Sequence, residues 1–277
     1  MPELPEIETT CRAIRPYLVE QTIKHITIRH QQLRLPVSSE LVTDITGQII
    51  EAVVRRAKYL LLQLSQGYLL IHLGMSGHLR FISNDNLPGK HDHIDLELQN
   101  GLILRYNDPR RFGLWVYIDD SPFEHKLLKH LGPEPLLEDF NTDYLAKRAL
   151  HKTQSVKAFI MDNTIVVGVG NIYATESLFL AGIHPLRPAG SLTLVETGKL
   201  VIYIKQVLHK AIAAGGTTLK DFYSADGKPG YFAQDLMVYG RQNKKCFQCD
   251  SILEHSRIAG RNSTFCPVCQ PISSVQT

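Results

Sequence analysis

Four cysteines fall as Cys246-x2-Cys249-x16-Cys266-x2-Cys269, and that spacing strongly restricts how the C-terminal part of the chain can fold. Two CxxC turns brought face to face present four thiolates to one tetrahedral ion, the geometry zinc takes. A four-thiolate site leaves no open position for water. One structural Zn2+ is therefore expected, folding a hairpin rather than catalysing, with Arg257 and Arg261 displayed on the segment between the knuckles. The fifth cysteine, Cys11, shares a helical face with Ile7, Ile14 and Leu18 and reads as a core residue.

The chain has 277 residues, long enough for two lobes. With 44% hydrophobic and 21% charged residues its composition excludes wholesale disorder. No apolar run approaches the roughly 18 residues of a membrane span. The opening MPELPEIETT carries three glutamates where a secretory leader needs cations, so a cytoplasmic protein is expected. From Gly240 onward five Lys and Arg stand against two Asp and Glu, so the net charge of +3 resides there. Anion binding elsewhere must come from local clusters such as Arg55, Arg56 and Lys58, or Arg110 and Arg111.

Periodicity divides the rest. After a first helix, residues 25–29, 49–55, 59–64, 68–73, 78–82 and 114–118 read as strands, and 94–106 as a hairpin around a type I′ turn at Asn100-Gly101. An antiparallel sandwich or barrel capped by the N-terminal helix is expected over residues 1–131, and the β-sandwich is preferred. The pattern loosens after Asp119, and residues 132–151, with Gly132, Pro133 and Pro135, read as a linker. Helical spacing at 156–162, 172–181 and 194–214, stopped by Gly182 and Gly215, assigns a helical domain to 152–236. The finger takes 237–271 and a polar tail 272–277. The fold class is α+β.

Several motifs carry two readings. Pro2 is a small second residue of the kind that permits loss of the initiator methionine, which would leave a secondary amine beside Glu3. On composition alone, a helix start with acidic residues favouring the dipole is the better account. Val167-Gly-Val-Gly-Asn171 before a helix suits a phosphate or a packed turn equally. His72-Leu-Gly-Met-Ser-Gly77 and Asp108-Pro-Arg-Arg-Phe-Gly113 place Met75, Arg110 and Phe112 on loops, as wedges for a base stack or as ordinary loop tips. His91-Asp-His93 has no third ligand nearby, so surface histidines or a phosphate contact fit better than a metal pair.

Together these residues resemble one family along nearly the whole chain, the formamidopyrimidine-DNA glycosylases, which excise oxidised purines such as 8-oxoguanine. The matching segments are Met1-Pro-Glu-Leu-Pro-Glu, Arg55-Arg-Ala-Lys-Tyr, the two loops above, Lys90-His-Asp-His, Val167-Gly-Val-Gly-Asn-Ile-Tyr-Ala, Asp226-Gly-Lys-Pro-Gly-Tyr-Phe and the four-cysteine finger. The resemblance implies a helix-two-turn-helix in the helical domain. It further implies a monomeric base-excision-repair enzyme, associated with the nucleoid, that acts on double-stranded DNA containing oxidised bases or abasic sites as glycosylase and lyase. By the same resemblance Pro2 is the nucleophile and Glu3 the general acid and base, Lys58 assists β-elimination and Arg261 δ-elimination. His91, Arg110, Lys152 and Asn171 would hold phosphates, Met75, Arg110 and Phe112 would fill the vacated stack, and residues around Thr217 to Tyr223 would close over the flipped base. Chemistry agrees, because an α-amine with a reference pKa of about 7.7 to 8.0 is partly unprotonated at neutral pH. Two alternatives stay open: an endonuclease VIII-like glycosylase for oxidised pyrimidines, and a non-catalytic protein that binds damaged DNA.

Overall fold

Ile7, Cys11, Ile14 and Leu18 recur at helical spacing, and in the computed structural model helix α1 (Leu4–Leu18) buries all four. The structure describes residues 2–83, 86–216 and 232–272. The described residues within Met1–His130 and Ala214–Ala233 form one compact unit, and those within Leu131–Ala213 and Gln234–Thr277 a second.

In the first unit β1 (Ile23–Ile28), β6 (Asp92–Leu98), β7 (Ile103–Asn107) and β5 (His78–Ile82) make one antiparallel sheet, ordered β1-β6-β7-β5. A second antiparallel sheet has the order β2-β3-β4-β8, from β2 (Ile50–Arg56), β3 (Tyr59–Leu64), β4 (Tyr68–His72) and β8 (Leu114–Ile118). Side chains from both sheets and from α1 share one core that includes Ile14, Ile26, Val53, Leu62, Ile71, Leu96, Leu104 and Trp115. The result is the expected sandwich with its capping helix.

The contacts of α1 set its direction. Arg15 donates to the Val53 carbonyl at 2.8 Å, the Cys11 thiol lies 3.7 Å from the Val54 carbonyl, and Glu8 pairs with Arg55 at 2.9 Å. As the helix is followed back to its start, its partners advance along β2. The N-terminus of α1 therefore lies toward the β2–β3 turn.

The second unit contains α3 (Thr142–Ala149), α4 (Val156–Ile160), α5 (Asn171–Ala181), α6 (Leu194–Ala213) and the hairpin β9 (Glu254–Ile258) with β10 (Arg261–Phe265). Helix α5 is central: every residue from Ile172 to Phe179 is buried, including Glu176. Glu176 is satisfied by the N–H groups of Met237, Val238 and Tyr239 at 2.7–3.0 Å, so α5 clasps the strand of chain that enters the finger.

Two local expectations needed correction, and one short helix carried no signal. The 94–106 hairpin closes through a three-residue loop in which Leu98 bonds Leu102, with Gly101 left-handed (φ 84°) and Asn100 not, so it is no type I′ turn. The Asn100 side chain instead accepts from the Leu102 N–H at 3.0 Å. A short α2 (Leu41–Ile45) interrupts a stretch without helical signal, being too brief to show a period. Helix α3 lies where a linker was expected; it buries only Leu145 and Ala149 on its inner face and is started by the Asn141 side chain, which accepts from the Tyr144 N–H at 2.9 Å.

Candidate active site and metal centre

Glu3 is the N-cap of α1 and is 2% exposed, with Pro2 buried before it. Glu6 accepts the Glu3 N–H at 2.9 Å and Glu3 accepts from the Glu6 N–H, a reciprocal capping box. The bland reading of the acidic start is thus correct as far as it goes: both glutamates begin a helix. Pro2 has no part in that box. Gly216 packs so closely on Glu6 that a side chain there would stand 3.1 Å from its carboxylate. The Phe232 N–H donates to the Gly216 carbonyl at 3.1 Å. The Thr217 to Tyr223 segment lies outside the described residues.

Lys58 sits on the two-residue turn joining β2 to β3, where Arg56 faces Tyr59. Its neighbour Ala57 is left-handed (φ 54°) with its methyl buried, a conformation costing about 1–2 kcal/mol in a non-glycine residue. Arg55 braces the turn by donating to the Ala57 carbonyl at 3.0 Å. Since α1 starts toward this turn, Pro2, Glu3 and Lys58 occupy one end of the first unit. Burial pushes the Glu8 carboxyl up, but the Arg12 and Arg55 guanidiniums outweigh it and hold it below the usual range.

The two loops are joined through a residue that sequence reasoning passed over. Asp108 is fully buried, and its carboxylate accepts from the Ser76 hydroxyl at 2.8 Å, the Tyr106 hydroxyl at 2.9 Å and the Gly113 N–H at 2.9 Å. Gly74 (φ 70°) approaches so near that a side chain on it would lie 2.5 Å from the Gly113 nitrogen. This node leaves Met75 37% and Phe112 44% exposed, with the Arg110 guanidinium 4.9 Å above the Phe112 ring. Beside it, burial first, then Arg34 and Lys58, bring the His72 imidazole down to about 4. Its Nδ1 accepts the Gly74 N–H at 2.9 Å, so the neutral ring is the one that fits.

His91 lines a cavity of about 410 Å³ with Arg29, His30, Lys90 and Arg111. His93 differs from the surface histidine expected: it is 5% exposed, and its Nε2 is 2.8 Å from the Asp108 carbonyl. Asp92 is likewise buried and bonds Arg80 at 2.8 Å.

In the second unit Asn171 opens α5 after the N-cap Gly170. Lys157 is 0% exposed and donates from Nζ to Asn171 Oδ1 at 2.7 Å and to the Ser263 hydroxyl at 2.6 Å. The Asn171 amide also donates to the Asn262 carbonyl at 3.3 Å. Asn171 is therefore held against the finger hairpin, whose turn, Ala259 (φ 47°) and Gly260 (φ 74°), presents the exposed Arg261. Lys152 lies exposed between α3 and α4. No sequence signal marked Lys157, which looks like any solvated helical lysine. Glu176 had one, as a lone carboxylate in an apolar helix.

The four finger cysteines hold their sulfurs within 4.8 Å of one another, with Sγ–Sγ separations of 3.9, 3.4 and 3.5 Å. A tetrahedral ion with bonds of about 2.3 Å requires edges of about 3.8 Å. Gln248 and Cys269 point their N–H groups at the Cys246 and Cys266 sulfurs, both at 3.4 Å, which suits thiolate acceptors. Ser251 hydrogen bonds bring the Cys249 thiol down to about 6, while burial raises Cys266 and Cys269. Four thiols this close share little charge alone, and a divalent ion among them favours the thiolates. The donor set fits a structural metal.

Family models match in two blocks: formamidopyrimidine-DNA glycosylase N-terminal domain over residues 1–115, and formamidopyrimidine-DNA glycosylase H2TH domain over 131–223. A formamidopyrimidine-DNA glycosylase of Legionella pneumophila (strain Lens) is 58% identical, covering 98% of this chain and 99% of its own. That of Hydrogenovibrio crunogenus is 56% identical, covering 98% and 96%. Wild-type Lactococcus lactis Fpg in complex with N7-benzyl-Fapy-dG DNA superimposes with a TM-score of 0.91 at 35% identity, over 98% of this chain and 100% of that one. The Lactococcus lactis Fpg complexes with abasic-site DNA and with oxidised-pyrimidine DNA each give 0.90 at 35% identity, over 97% and 99%, and 98% and 100%, of the two chains.

Proposed function

Since the chain belongs to the formamidopyrimidine-DNA glycosylase family, we propose that it excises oxidised purines from double-stranded DNA and then cleaves the strand by β,δ-elimination. Pro2, made N-terminal by loss of Met1, is the nucleophile. Its nitrogen bonds to the sugar C1′, the C1′–N bond to the base breaks, and ring opening leaves an iminium. As a secondary amine, proline makes this adduct necessarily cationic, so it draws electrons as a C2′ proton is lost and the 3′ phosphate departs. The 5′ phosphate follows. Glu3 moves the protons of the first steps, Lys58 assists β-elimination and Arg261 δ-elimination.

The observation that carries this reading is the shared position of Pro2, Glu3 and the braced Lys58 turn at one end of α1 and β2. His91, Arg110, Lys152 and Asn171 hold phosphates. Met75, Arg110 and Phe112, stapled by Asp108, enter the gap left by the extruded base. The metal is Zn2+, held by Cys246, Cys249, Cys266 and Cys269, and it supplies the fold of the hairpin that presents Arg261.

The test is single-turnover excision of 8-oxoguanine opposite cytosine and of an oxidised pyrimidine, for the parent and for Glu3→Gln. The glutamine still accepts the Glu6 N–H, so the helix start survives. Excision should fall by about 10²-fold or more. An unchanged rate rejects the role of Glu3. A pyrimidine processed faster than 8-oxoguanine favours the endonuclease VIII-like alternative, and binding without excision by the parent favours a damage-binding protein.

A further inference from the structure

Beyond Asn171, the helical unit carries a second group of cations. Lys147 and Arg148 from the last turn of α3, with Lys152 beyond it, line a cavity of about 530 Å³ walled by Tyr144 and Leu150. All three cations are exposed, and among the described residues none forms an ion pair. Basic residues in a last helical turn complement the helix dipole, which accounts for Lys147 and Arg148. It does not account for Lys152, which follows the helix, or for the rigidity of the backbone beneath.

That backbone is pinned. The Lys152 N–H donates to the Ala149 carbonyl at 3.0 Å, and the Gly190 N–H donates to the Lys152 carbonyl at 2.8 Å. A side chain at Gly190 would stand 3.0 Å from both Lys152 backbone atoms, so the two segments are in close contact. On the other wall the Tyr144 hydroxyl donates to the Ile165 carbonyl at 2.9 Å, and Arg148 to the Thr164 carbonyl at 3.3 Å. The backbone beneath these cations needs no ordering when an anion binds, so the ordering cost is confined to the side chains.

We propose that this pocket is a second phosphate subsite, in which Lys147 and Arg148 join Lys152 to hold the DNA backbone outside the nucleotides that flank the lesion. The proposal rests on the glycosylase reading above. Lys152 and Lys157 are five residues apart, so their Cα atoms lie within about 18 Å, and Lys157 touches Asn171 at 2.7 Å. A turn of B-DNA is about 34 Å. A duplex whose phosphate sits at Asn171 can therefore reach the pocket within one turn.

The experiment compares the parent with Lys147→Ala/Arg148→Ala on hairpin-capped abasic-site duplexes with about four or about fifteen base pairs on each side of the lesion. On the short duplex the two proteins should bind alike. On the long one the variant should lose about tenfold, and its plot of log affinity against log salt should be shallower by one to two units, as expected for one or two lost phosphate contacts. Lys147→Arg/Arg148→Lys, which keeps both charges, should retain parental affinity. Equal affinity of the alanine variant and parent on the long duplex overturns the subsite. So does an equal loss on both lengths, which would put the residues in the core footprint. A parent that neither binds nor cleaves abasic DNA rejects the glycosylase reading instead, and the subsite with it.

Discussion

The two units present the cations proposed for the elimination steps on left-handed hairpin turns and support those turns by different means. Lys58 follows a left-handed Ala57 in the β2–β3 turn, and Arg261 follows Ala259 and Gly260 in the β9–β10 turn. Behind the first lies the sandwich core, with Trp115 and a large set of fully buried aliphatic side chains. Behind the second the buried cluster is small, Phe179, Val238, Leu253 and two of the cysteines. A tight hairpin aims a side chain only as firmly as its base is held. In the first unit apolar burial holds it, and in the finger four sulfurs must.

The largest expected effect breaks this comparison along that line. Chelation of the metal, or Cys249→Ser, should lower DNA affinity by 100-fold or more, because metal binding and finger folding are one free energy of roughly 10 kcal/mol or more. The first unit should be untouched. Trp115 is the only tryptophan and is buried in the sandwich, so its fluorescence reports that unit alone. Retained affinity without metal, or a Trp115 signal that shifts with chelation, contradicts the division.

A smaller effect separates the two turns by chemistry. Arg261→Ala should leave base excision within a few-fold of the parent while products stop after β-elimination, whereas Lys58→Ala should slow β-elimination itself. Electrophoresis of the cleaved ends distinguishes the two. Identical product patterns for both variants would mean that the cations have no separate roles.

The last effect, spread over more than two pH units, is a pH dependence of the first unit. His72 is held near 4 against an unfolded value near 6.5, so between these values the unfolded chain binds a proton that the folded chain refuses. Stability therefore falls as pH drops from 6.5 toward 4, by up to about 3 kcal/mol from this group. Urea unfolding followed by Trp115 should show that slope in the parent. His72→Asn, which keeps an acceptor for the Gly74 N–H, should make it shallower, leaving the part that His78, also lowered by burial, contributes. An equal slope in both proteins would assign it to other groups.

How much of this was legible in the sequence follows from where each constraint acts. The face of α1 and most strands were readable because one-sided burial imposes a period on Ile7, Cys11, Ile14 and Leu18, and on β-branched runs such as Ile50–Arg56. The cysteine spacing was readable because tetrahedral coordination dictates it. Helix α3 was missed because only Leu145 and Ala149 face inward, too few to show a period. The Asp108 staple and the Lys157 bridge to Ser263 join residues distant in the chain, and a polar residue gives no local sign that its partner is buried with it. The strain at Ala57 is equally silent, since alanine carries no mark of a left-handed backbone.

The most direct test of the central claim is borohydride trapping on DNA containing 8-oxoguanine opposite cytosine, followed by peptide mass spectrometry of the adduct. If Pro2 is the nucleophile, reduction of the iminium yields a covalent protein–DNA species in step with base excision. The sugar remnant should map to the N-terminal peptide beginning at Pro2. Efficient excision by protein lacking Met1 without any trapped adduct, or an adduct mapped to Lys58, would contradict the account.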